Sequence, residues 1–139
     1  MKNPHVTALF VKREKGSLSE SVPSLTLTEF GIEGDHHAGN KGVRQILLQS
    51  ESILDEFKLQ PGQLYENILV AGLEVMDLQE GQQFRVGDAT ISITIPCAPC
   101  VQMDRIRSGL GTDIDGKRGR FARVVSSGEI CVGDSFQQA

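Results

Sequence analysis

Two cysteines separated by two residues are the side chains in this sequence best suited to chemistry. Pro96 directly precedes Cys97, and Pro99 directly precedes Cys100. Because proline fixes its own φ angle, the backbone of this segment would be rigid and would hold both sulfur atoms in place at the end of a strand. A thiolate held in this way can attack another sulfur atom or ligate a soft metal ion.

Four interpretations of this cysteine pair are open. A thioredoxin-type redox couple is disfavoured because the surrounding pattern is not a βαβ unit. A structural zinc site needs two further ligands, and the only plausible donors are His36, His37 and Cys131. The two cysteines can also pack as small apolar groups. The sequence favours the remaining interpretation, a nucleophilic, sulfur-carrying or metal-ligating thiolate.

A short helix is predicted directly after Cys100. Its inward face is predicted to consist of Val101, Met103 and Ile106, with Arg105 facing outward. The helix N-terminus and the positive charge of Arg105 or Arg107 would lower the pKa of the Cys100 thiol. The sequence therefore predicts a thiolate here at neutral pH.

A basic stretch follows the cysteines in an otherwise acidic chain. Its charged residues are Arg105, Arg107, Lys117, Arg118, Arg120 and Arg123, against Asp113 and Asp115. In Arg118-Gly119-Arg120 the glycine lets the backbone approach closely, as in a cradle for phosphate or another oxyanion. A solvated basic face is the alternative interpretation.

Two polar segments could complete a site. The loop from Gly31 to Gly39 contains Asp35, His36 and His37, which can transfer protons, ligate metal or bind a polar ligand. An aspartate after glycine also commonly accepts backbone N–H bonds at a strand end. Glu66-Asn67 precedes an apolar strand, and a structural role in satisfying backbone groups is favoured for this pair.

The pattern of apolar residues predicts a mainly β domain with a few short helices. Ala89 to Ile95 alternates strictly, and Gly87-Asp88 would join it to Phe84–Val86 in a hairpin. A second hairpin is predicted from residues 123–125 to 129–132. The other predicted elements are strands at 6–12, 24–28 and 45–48 and a helix at 52–57, in which Ser52 and Asp55 resemble a capping box.

Length and composition limit the class of protein. The 139 residues suit a single domain spanning 1–139, and 39% apolar residues suffice for a core. A net charge of −4 argues against a general nucleic-acid binder. No apolar run is long enough for a membrane helix, the N-terminus does not resemble a secretory signal, and three cysteines do not suggest a disulfide framework. We therefore expect a cytoplasmic protein without nucleic-acid or membrane partners.

Taken in order, several short motifs resemble one family, the MOSC domain, named for the C-terminal domain of molybdenum-cofactor sulfurases. The resemblance covers nearly the whole chain, and it depends on the order and spacing of the motifs together. The motifs are Gly34-Asp35-His36-His37-Ala38-Gly39, Arg44-Gln45, Glu66-Asn67, Gly72-Leu73, Val86-Gly87-Asp88-Ala89, Pro96-Cys97-Ala98-Pro99-Cys100, Arg107-Ser108-Gly109-Leu110, Lys117-Arg118-Gly119, Ala122-Arg123-Val124 and Val132-Gly133-Asp134.

This resemblance implies a single-domain, β-barrel-like fold built around one characteristic cysteine. By position Cys100 best matches that cysteine, and Cys97 is an additional one. The family resemblance implies that such a cysteine accepts sulfur from a pyridoxal-phosphate cysteine desulfurase as a persulfide. In other members it ligates the molybdenum of a pterin cofactor, and the partner is then a molybdoenzyme.

The resemblance also implies roles for individual residues. Cys100 and Cys97 would be the catalytic thiols, with Cys100 as the possible molybdenum ligand. The candidate cofactor-binding residues are Asp35, His37, Arg44, Asn67, Arg107, Arg118, Arg120 and Arg123. Asp35, His37 and Arg44 would shape the floor of the pocket, and the arginines from Arg107 onward would bind the phosphate of the pterin cofactor or another anionic small molecule. A molybdenum-cofactor-dependent reductase component for N-hydroxylated compounds and a non-catalytic domain with structural zinc are the alternative functions. The short chain argues against a complete reductase.

Overall fold

The computed structural model describes residues 3–39 and 41–139, and β-strands dominate this part of the chain. The strands are His5–Val11 (β1), Glu20–Val22 (β2), Ser24–Thr28 (β3), Gly31–Ile32 (β4), Ile46–Ser50 (β5), Ile68–Ala71 (β6), Gln83–Val86 (β7), Ala89–Pro96 (β8), Arg120–Ser126 (β9), Gly128–Cys131 (β10) and Phe136–Gln138 (β11). The prediction of a mainly β domain is confirmed.

The helices are short and lie between strands. They are Glu51–Phe57 (α1), Val101–Ile106 (α2) and Leu110–Asp113 (α3), with a 3₁₀ turn at Val75–Asp77. In the described part of the chain, no helix has the length and apolar character needed to cross a membrane.

One large sheet carries most of the strands. Eight of them run in the order β11-β7-β8-β9-β5-β6-β1-β2, and β10-β3-β4 form a second sheet. Within the large sheet β5 and β6 pair in parallel, and α1 lies on the connection between them. The large sheet curls until its ends approach: the Val6 N–H donates to the Asp134 carbonyl and the Gly133 N–H to the Val6 carbonyl, each at 2.8 Å. The result is barrel-like, without a continuous ladder around the circumference.

The hairpin before the cysteines forms as predicted. β7 and β8 pair antiparallel from Gln83–Ser92 to Val86–Ala89, and Gly87 occupies the turn with a φ of 55°. Ala89, Ile91 and Ile93 are fully buried on one face, as the alternation indicates, but Ser92 and Thr94 on the other face are also buried and Ile95 is only partly buried. This strand ends at Pro96, and Cys97 is the next residue.

The second predicted hairpin is wrong. β9 pairs with β8 on one edge, whereas on the other edge β5 pairs only with residues 120–122. Further along that second edge, the Val124 N–H donates to the Gln45 side-chain Oε1 at 2.7 Å and not to β10. β10 pairs instead with β3, far back in the sequence. The local turn residues do not decide this pairing, because the choice depends on which edges are free after the whole sheet has closed.

Both predicted helices form, with corrections in detail. α1 begins at Glu51 after Ser50, and Ser52 does not cap it; the Ser52 hydroxyl donates to the Glu74 carboxylate at 2.6 Å. In α2, Met103 is fully buried as predicted, but the Val101 side chain is 76% exposed. A six-residue helix buries only a narrow face, and here Met103 occupies it.

The buried side chains form two clusters. The larger one fills the interior of the curled sheet and includes Leu9, Ile46, Ile91, Ile93 and Phe136. The smaller one packs the three helices against the sheet and consists of Ile53, Leu54, Leu59, Leu64, Leu69, Met103, Leu110 and Ile114. The smaller cluster therefore fixes the position of α2 and α3, and with them the segments on either side that carry Cys100 and Arg118.

Candidate functional site

A cavity of about 230 Å³ brings together residues from both candidate loops and from the basic stretch. Its walls include Asp35, His36, His37, Asn67, Cys97 and Arg118. The sequence placed these residues in separate motifs, and the fold gathers them at one point. The candidate histidines and one of the two cysteines therefore share a pocket.

Asp35 is the most firmly held residue of this cavity. Only 5% of it is exposed, and its Oδ1 accepts hydrogen bonds from the Lys12 backbone N–H at 2.9 Å and from the Asn67 side-chain amide at 3.4 Å. Its Oδ2 accepts the His37 backbone N–H at 3.1 Å. The expectation that an aspartate after glycine accepts backbone N–H bonds is met here, and the same carboxylate also faces the cavity.

The two histidines lie against this carboxylate. The Nδ1 atoms of His37 and His36 are 3.4 and 3.8 Å from Asp35 Oδ2. Burial raises the pKa of Asp35, but hydrogen bonds from His37 and from the Lys12 N–H outweigh burial and leave this pKa below its ordinary value. Burial, followed by the charge of His37, lowers the pKa of His36. The cluster therefore combines an ionised carboxylate with a neutral His36 imidazole at neutral pH.

The Asn67 side chain links the backbones of two strands at the floor of the cavity. Its Oδ1 accepts the Leu47 N–H at 2.9 Å, and its Nδ2 donates to the Phe10 carbonyl at 3.2 Å. Asn67 stands directly before β6, between β1 and β5, so one side chain satisfies backbone groups of both neighbouring strands. The structural role favoured for Asn67 is observed, together with a place in the cavity wall.

Arg118 supplies a buried cation to the cavity. The residue is only 4% exposed, and among the described residues its Nε and Nη1 have no hydrogen-bond partner. A buried guanidinium with free donors is costly unless an acceptor reaches it, and planar oxyanions match its geometry. Arg118 thus lines the cavity with a cation whose Nε and Nη1 are buried and without a partner in the described part of the chain.

Gly119 explains how Arg118 comes so close to the cysteine segment. Gly119 has a φ of +128°, and a Cβ at this position would lie 2.8 Å from the Leu48 carbonyl oxygen. Its own carbonyl accepts the Cys97 N–H at 2.8 Å. The backbone therefore makes a close approach at Gly119, to β5 and to the cysteine segment, while the cradle for an oxyanion stays a prediction.

The two cysteines occupy different environments. Cys97 is half-buried and lines the cavity, whereas Cys100 is exposed at the start of α2. Burial raises the pKa of the Cys97 thiol above its ordinary value, and the charges of Arg118 and Arg44 oppose this only partly. Cys97 is therefore a thiol at neutral pH. The helix that begins directly after Cys100, α2, has only six residues.

The remaining predicted arginines lie outside the cavity wall. Arg107 is exposed, and its Nη2 donates to the Phe57 carbonyl at 2.7 Å. Arg120 donates to the Leu78 and Thr94 carbonyls at 2.8 and 3.0 Å, which ties loops to the sheet. Arg123 is exposed on β9, and Arg44 is exposed but close enough for its charge to act on Cys97.

Sequence reasoning missed several residues of the cavity wall, among them Lys12 and Tyr65. Lys12 follows β1, and its Nζ lies 4.2 Å from the centroid of the Tyr65 ring, a cation–π contact. Tyr65 has a φ of +60°, which is unusual for a residue with a Cβ. Neither residue stands in a recognisable motif. Only the backbone conformation, seen in the structure, distinguishes Tyr65 from an ordinary loop aromatic.

Glu66 is a buried carboxyl group behind the cavity. It is fully buried, its Oε2 accepts the Gly62 N–H at 2.8 Å, and its Oε1 has no partner among the described residues. Burial raises the pKa of Glu66, and the Gly62 N–H and the charge of Arg118 oppose it incompletely. The folded protein therefore holds the proton of Glu66 at pH values where the unfolded chain releases it.

This shift has a measurable consequence for stability. The contribution of Glu66 to folding is most favourable below its unfolded pKa and is lost as pH rises from there through the raised folded pKa. We expect the free energy of unfolding of the wild type, relative to Glu66→Gln, to fall with pH by at most about 1.4 kcal/mol per pH unit in that window. Urea denaturation of both proteins across the acidic range measures it, and parallel curves would contradict the assignment.

The structure so far defines a mainly β domain whose cavity combines a thiol, a buried guanidinium and an aspartate with two histidines. Residues 33–137 match the model of the MOSC domain. The chain belongs to the MOSC domain family. Lys12, on the segment before that match, nevertheless contributes to the cavity.

Solved structures with the same fold support the assignment of the architecture. The YuaD protein from Bacillus subtilis superposes with a TM-score of 0.85 at 21% identity, covering 97% of this chain and 94% of that one. YiiM from Geobacillus stearothermophilus gives a TM-score of 0.81 at 18% identity, covering 98% of this chain and 75% of that one. YiiM from Escherichia coli gives 0.73 at 22% identity, covering 97% and 69%. At these identities the likeness shows the fold alone. No curated protein sequence matches the chain.

Proposed function

We propose that this MOSC domain accepts sulfur from a cysteine desulfurase and carries it as a persulfide on the Cys97–Cys100 segment. One observation carries the proposal. Cys100 is exposed at the surface, and Cys97 lines a cavity that also contains the buried Arg118, whose Nε and Nη1 have no hydrogen-bond partner among the described residues. The association of the family with molybdenum-cofactor binding and sulfurase-like roles supports the same chemistry.

The exposed thiol suits the first step. Cys100 is accessible to the persulfide of a protein donor, which a buried thiol is not. In this step the Cys100 thiolate attacks the terminal sulfur of the desulfurase persulfide. The S–S bond on the desulfurase breaks, its cysteine leaves as a thiolate, and a new S–S bond forms on Cys100. The step needs no oxidant beyond the persulfide itself.

The cavity suits the sulfur once it is bound. A persulfide is anionic at neutral pH, and Arg118 offers two free donors beside Cys97. In the second step the Cys97 sulfur would attack the outer sulfur of the Cys100 persulfide, the S–S bond to Cys100 would break, and the proton of the Cys97 thiol would pass to the leaving Cys100 sulfur. The outer sulfur, now on Cys97, would face this cation. Cys97 is thus the second thiol of the pair, and the cavity is the place from which an acceptor takes the sulfur.

Intact mass spectrometry tests the carrier role. We expect incubation with a cysteine desulfurase and cysteine to produce protein heavier by one sulfur atom, and reductant to remove the adduct. Cys100→Ser should abolish the adduct, because Cys100 is the thiol that meets the donor. Cys97→Ser should leave a first adduct on Cys100 that is shorter-lived, since the sulfur then cannot move into the cavity.

Cys131 provides the matched control. It is half-buried on β10 and does not line the cavity, so Cys131→Ser should behave as the wild type does. An adduct that persists in the Cys97→Ser/Cys100→Ser double variant and disappears in Cys131→Ser would overturn the proposal.

A molybdenum-pterin cofactor is the second candidate ligand of the same site. The donor set fits this group: a cysteine thiolate suits molybdenum, and the free Nε and Nη1 of Arg118 suit its phosphate. When bound, the cofactor would supply the redox chemistry that reduces N-hydroxylated compounds. Molybdenum and pterin that co-purify from a cofactor-producing host, and are lost in Arg118→Met, would favour this function; protein free of both would exclude it.

A further inference from the structure

Three potential metal-ligating side chains stand together at one wall of the cavity. Asp35, His36 and His37 each offer one ligand atom, and these atoms lie within 4.8 Å of one another. The two Nδ1 atoms are 3.4 and 3.8 Å from Asp35 Oδ2. Ligand atoms about 2.0–2.1 Å from a tetrahedral zinc ion are separated by roughly 3.4 Å, so only small movements would close the cluster around an ion.

His36 has a buried nitrogen that the protein itself does not satisfy. Its Nδ1 is inaccessible to solvent and has no hydrogen-bond partner among the described residues. Its backbone N–H donates to the Lys12 carbonyl at 2.7 Å, which fixes the residue in place. A buried imidazole nitrogen without a partner costs free energy, and a metal ion would satisfy it.

The carboxylate of Asp35 is already oriented by the groups that surround it. Its Oδ1 is held by the Lys12 N–H and the Asn67 amide, so Oδ2 is the oxygen directed at both imidazoles. Metal ligands are commonly supported in this way by hydrogen bonds from outside the coordination sphere. The cluster therefore has the support that a metal site needs as well as the donors.

We infer that Asp35 Oδ2, His36 Nδ1 and His37 Nδ1 form a binding site for a divalent transition-metal ion of the zinc class, with its open coordination position facing the cavity. Three protein ligands and one open position are typical of zinc sites that bind a further ligand. The site uses no cysteine, so it is separate from the proposed sulfur chemistry of Cys97 and Cys100. It also differs from a zinc site that includes Cys131, because Cys131 is not in this cluster.

The charges around the site indicate what would occupy the open position. Lys12 and Arg118 line the same cavity, so a dication balanced only by Asp35 would leave it strongly positive. An oxyanion at the open position would offset that charge and could also accept hydrogen bonds from Arg118. The ligand class is therefore a small oxyanion, such as phosphate, bound to the metal.

Titration of the metal-free protein with Co²⁺ tests this inference. We expect one ion to bind, with the strong visible absorption of four-coordinate cobalt, and Zn²⁺ to displace it. The Cys97→Ser/Cys100→Ser double variant should retain both signals. Asp35→Asn, His36→Ala and His37→Ala should each weaken binding at least tenfold, and inorganic phosphate should tighten it in the wild type.

His5 supplies a matched control, since it is a histidine that does not line the cavity. His5→Ala should bind as the wild type does. Thermal unfolding of each variant without metal checks that it is folded, and His36→Ala, which removes an unsatisfied nitrogen, should remain folded if Asp35→Asn does not. Three results would overturn the inference: no metal binding by the wild type, metal binding retained by the His36→Ala/His37→Ala double variant, or metal binding lost in the Cys97→Ser/Cys100→Ser double variant. The persulfide experiment does not depend on the histidines, so the two proposals can fail independently.

Discussion

Arg118→Met should weaken anion binding in the cavity. A charge-assisted hydrogen bond from a buried guanidinium contributes about 1.5–3 kcal/mol, so the loss of even one such bond should lower the affinity for inorganic phosphate on the order of tenfold to a hundredfold. The cause is specific: Nε and Nη1 of Arg118 are buried donors without partners in the described part of the chain. Isothermal titration calorimetry with phosphate measures the loss.

Arg123→Met is the control for this experiment. It removes the same charge from an exposed position on β9 outside the cavity wall, and it should leave phosphate binding nearly unchanged. Equal losses in the two variants would show that net charge, and not the buried guanidinium, governs the affinity. Circular dichroism and urea denaturation would confirm that both variants are folded.

Asn67→Leu should produce the largest loss of stability. The substitution leaves the buried Leu47 N–H and Phe10 carbonyl without partners and removes the amide that supports Asp35. Each unsatisfied buried group costs about 1–3 kcal/mol, so we expect the free energy of unfolding to fall by roughly 2–5 kcal/mol. Chemical denaturation monitored by circular dichroism measures it.

Ser52→Ala gives the comparison for a hydrogen bond at the surface. The Ser52 hydroxyl donates to Glu74 in an exposed setting, and its loss should cost less than about 0.5 kcal/mol. If Asn67→Leu is no more destabilising than Ser52→Ala, then Asn67 does not hold the cavity floor as described.

Patterns among neighbouring residues correctly predicted the structural features that depend only on residues close together in the sequence. The alternation from Ala89 to Ile95 and the turn at Gly87-Asp88 were sufficient for the β7–β8 hairpin, because both of its strands are adjacent in sequence. The glycine before Asp35 indicated that its carboxylate would accept backbone N–H bonds. The glycine beside Arg118 indicated a close backbone approach. In each case a few neighbouring residues determine the outcome.

Features that depend on distant segments were not predictable in this way. Whether β10 pairs with β9 or with β3 depends on which strand edges the completed sheet leaves free. No sequence motif indicated that Lys12 and Tyr65 line the same cavity as Asp35, since they come from a strand end and from a loop without a motif. Likewise, Cys97 lines the cavity because the Cys97 N–H donates to the Gly119 carbonyl, and spacing along the sequence does not show this contact.

The cavity depends on contacts between remote parts of the chain. Lys12 meets Asp35 across 23 residues, and Leu47 meets Asn67 across 20. Such loops must close before their contacts contribute any stability, so the pocket should appear late in folding, together with the completed sheet. A ligand that binds there would act by mass action on the folding equilibrium of the whole chain, and it would protect distant backbone amides from hydrogen exchange as well as those of the pocket.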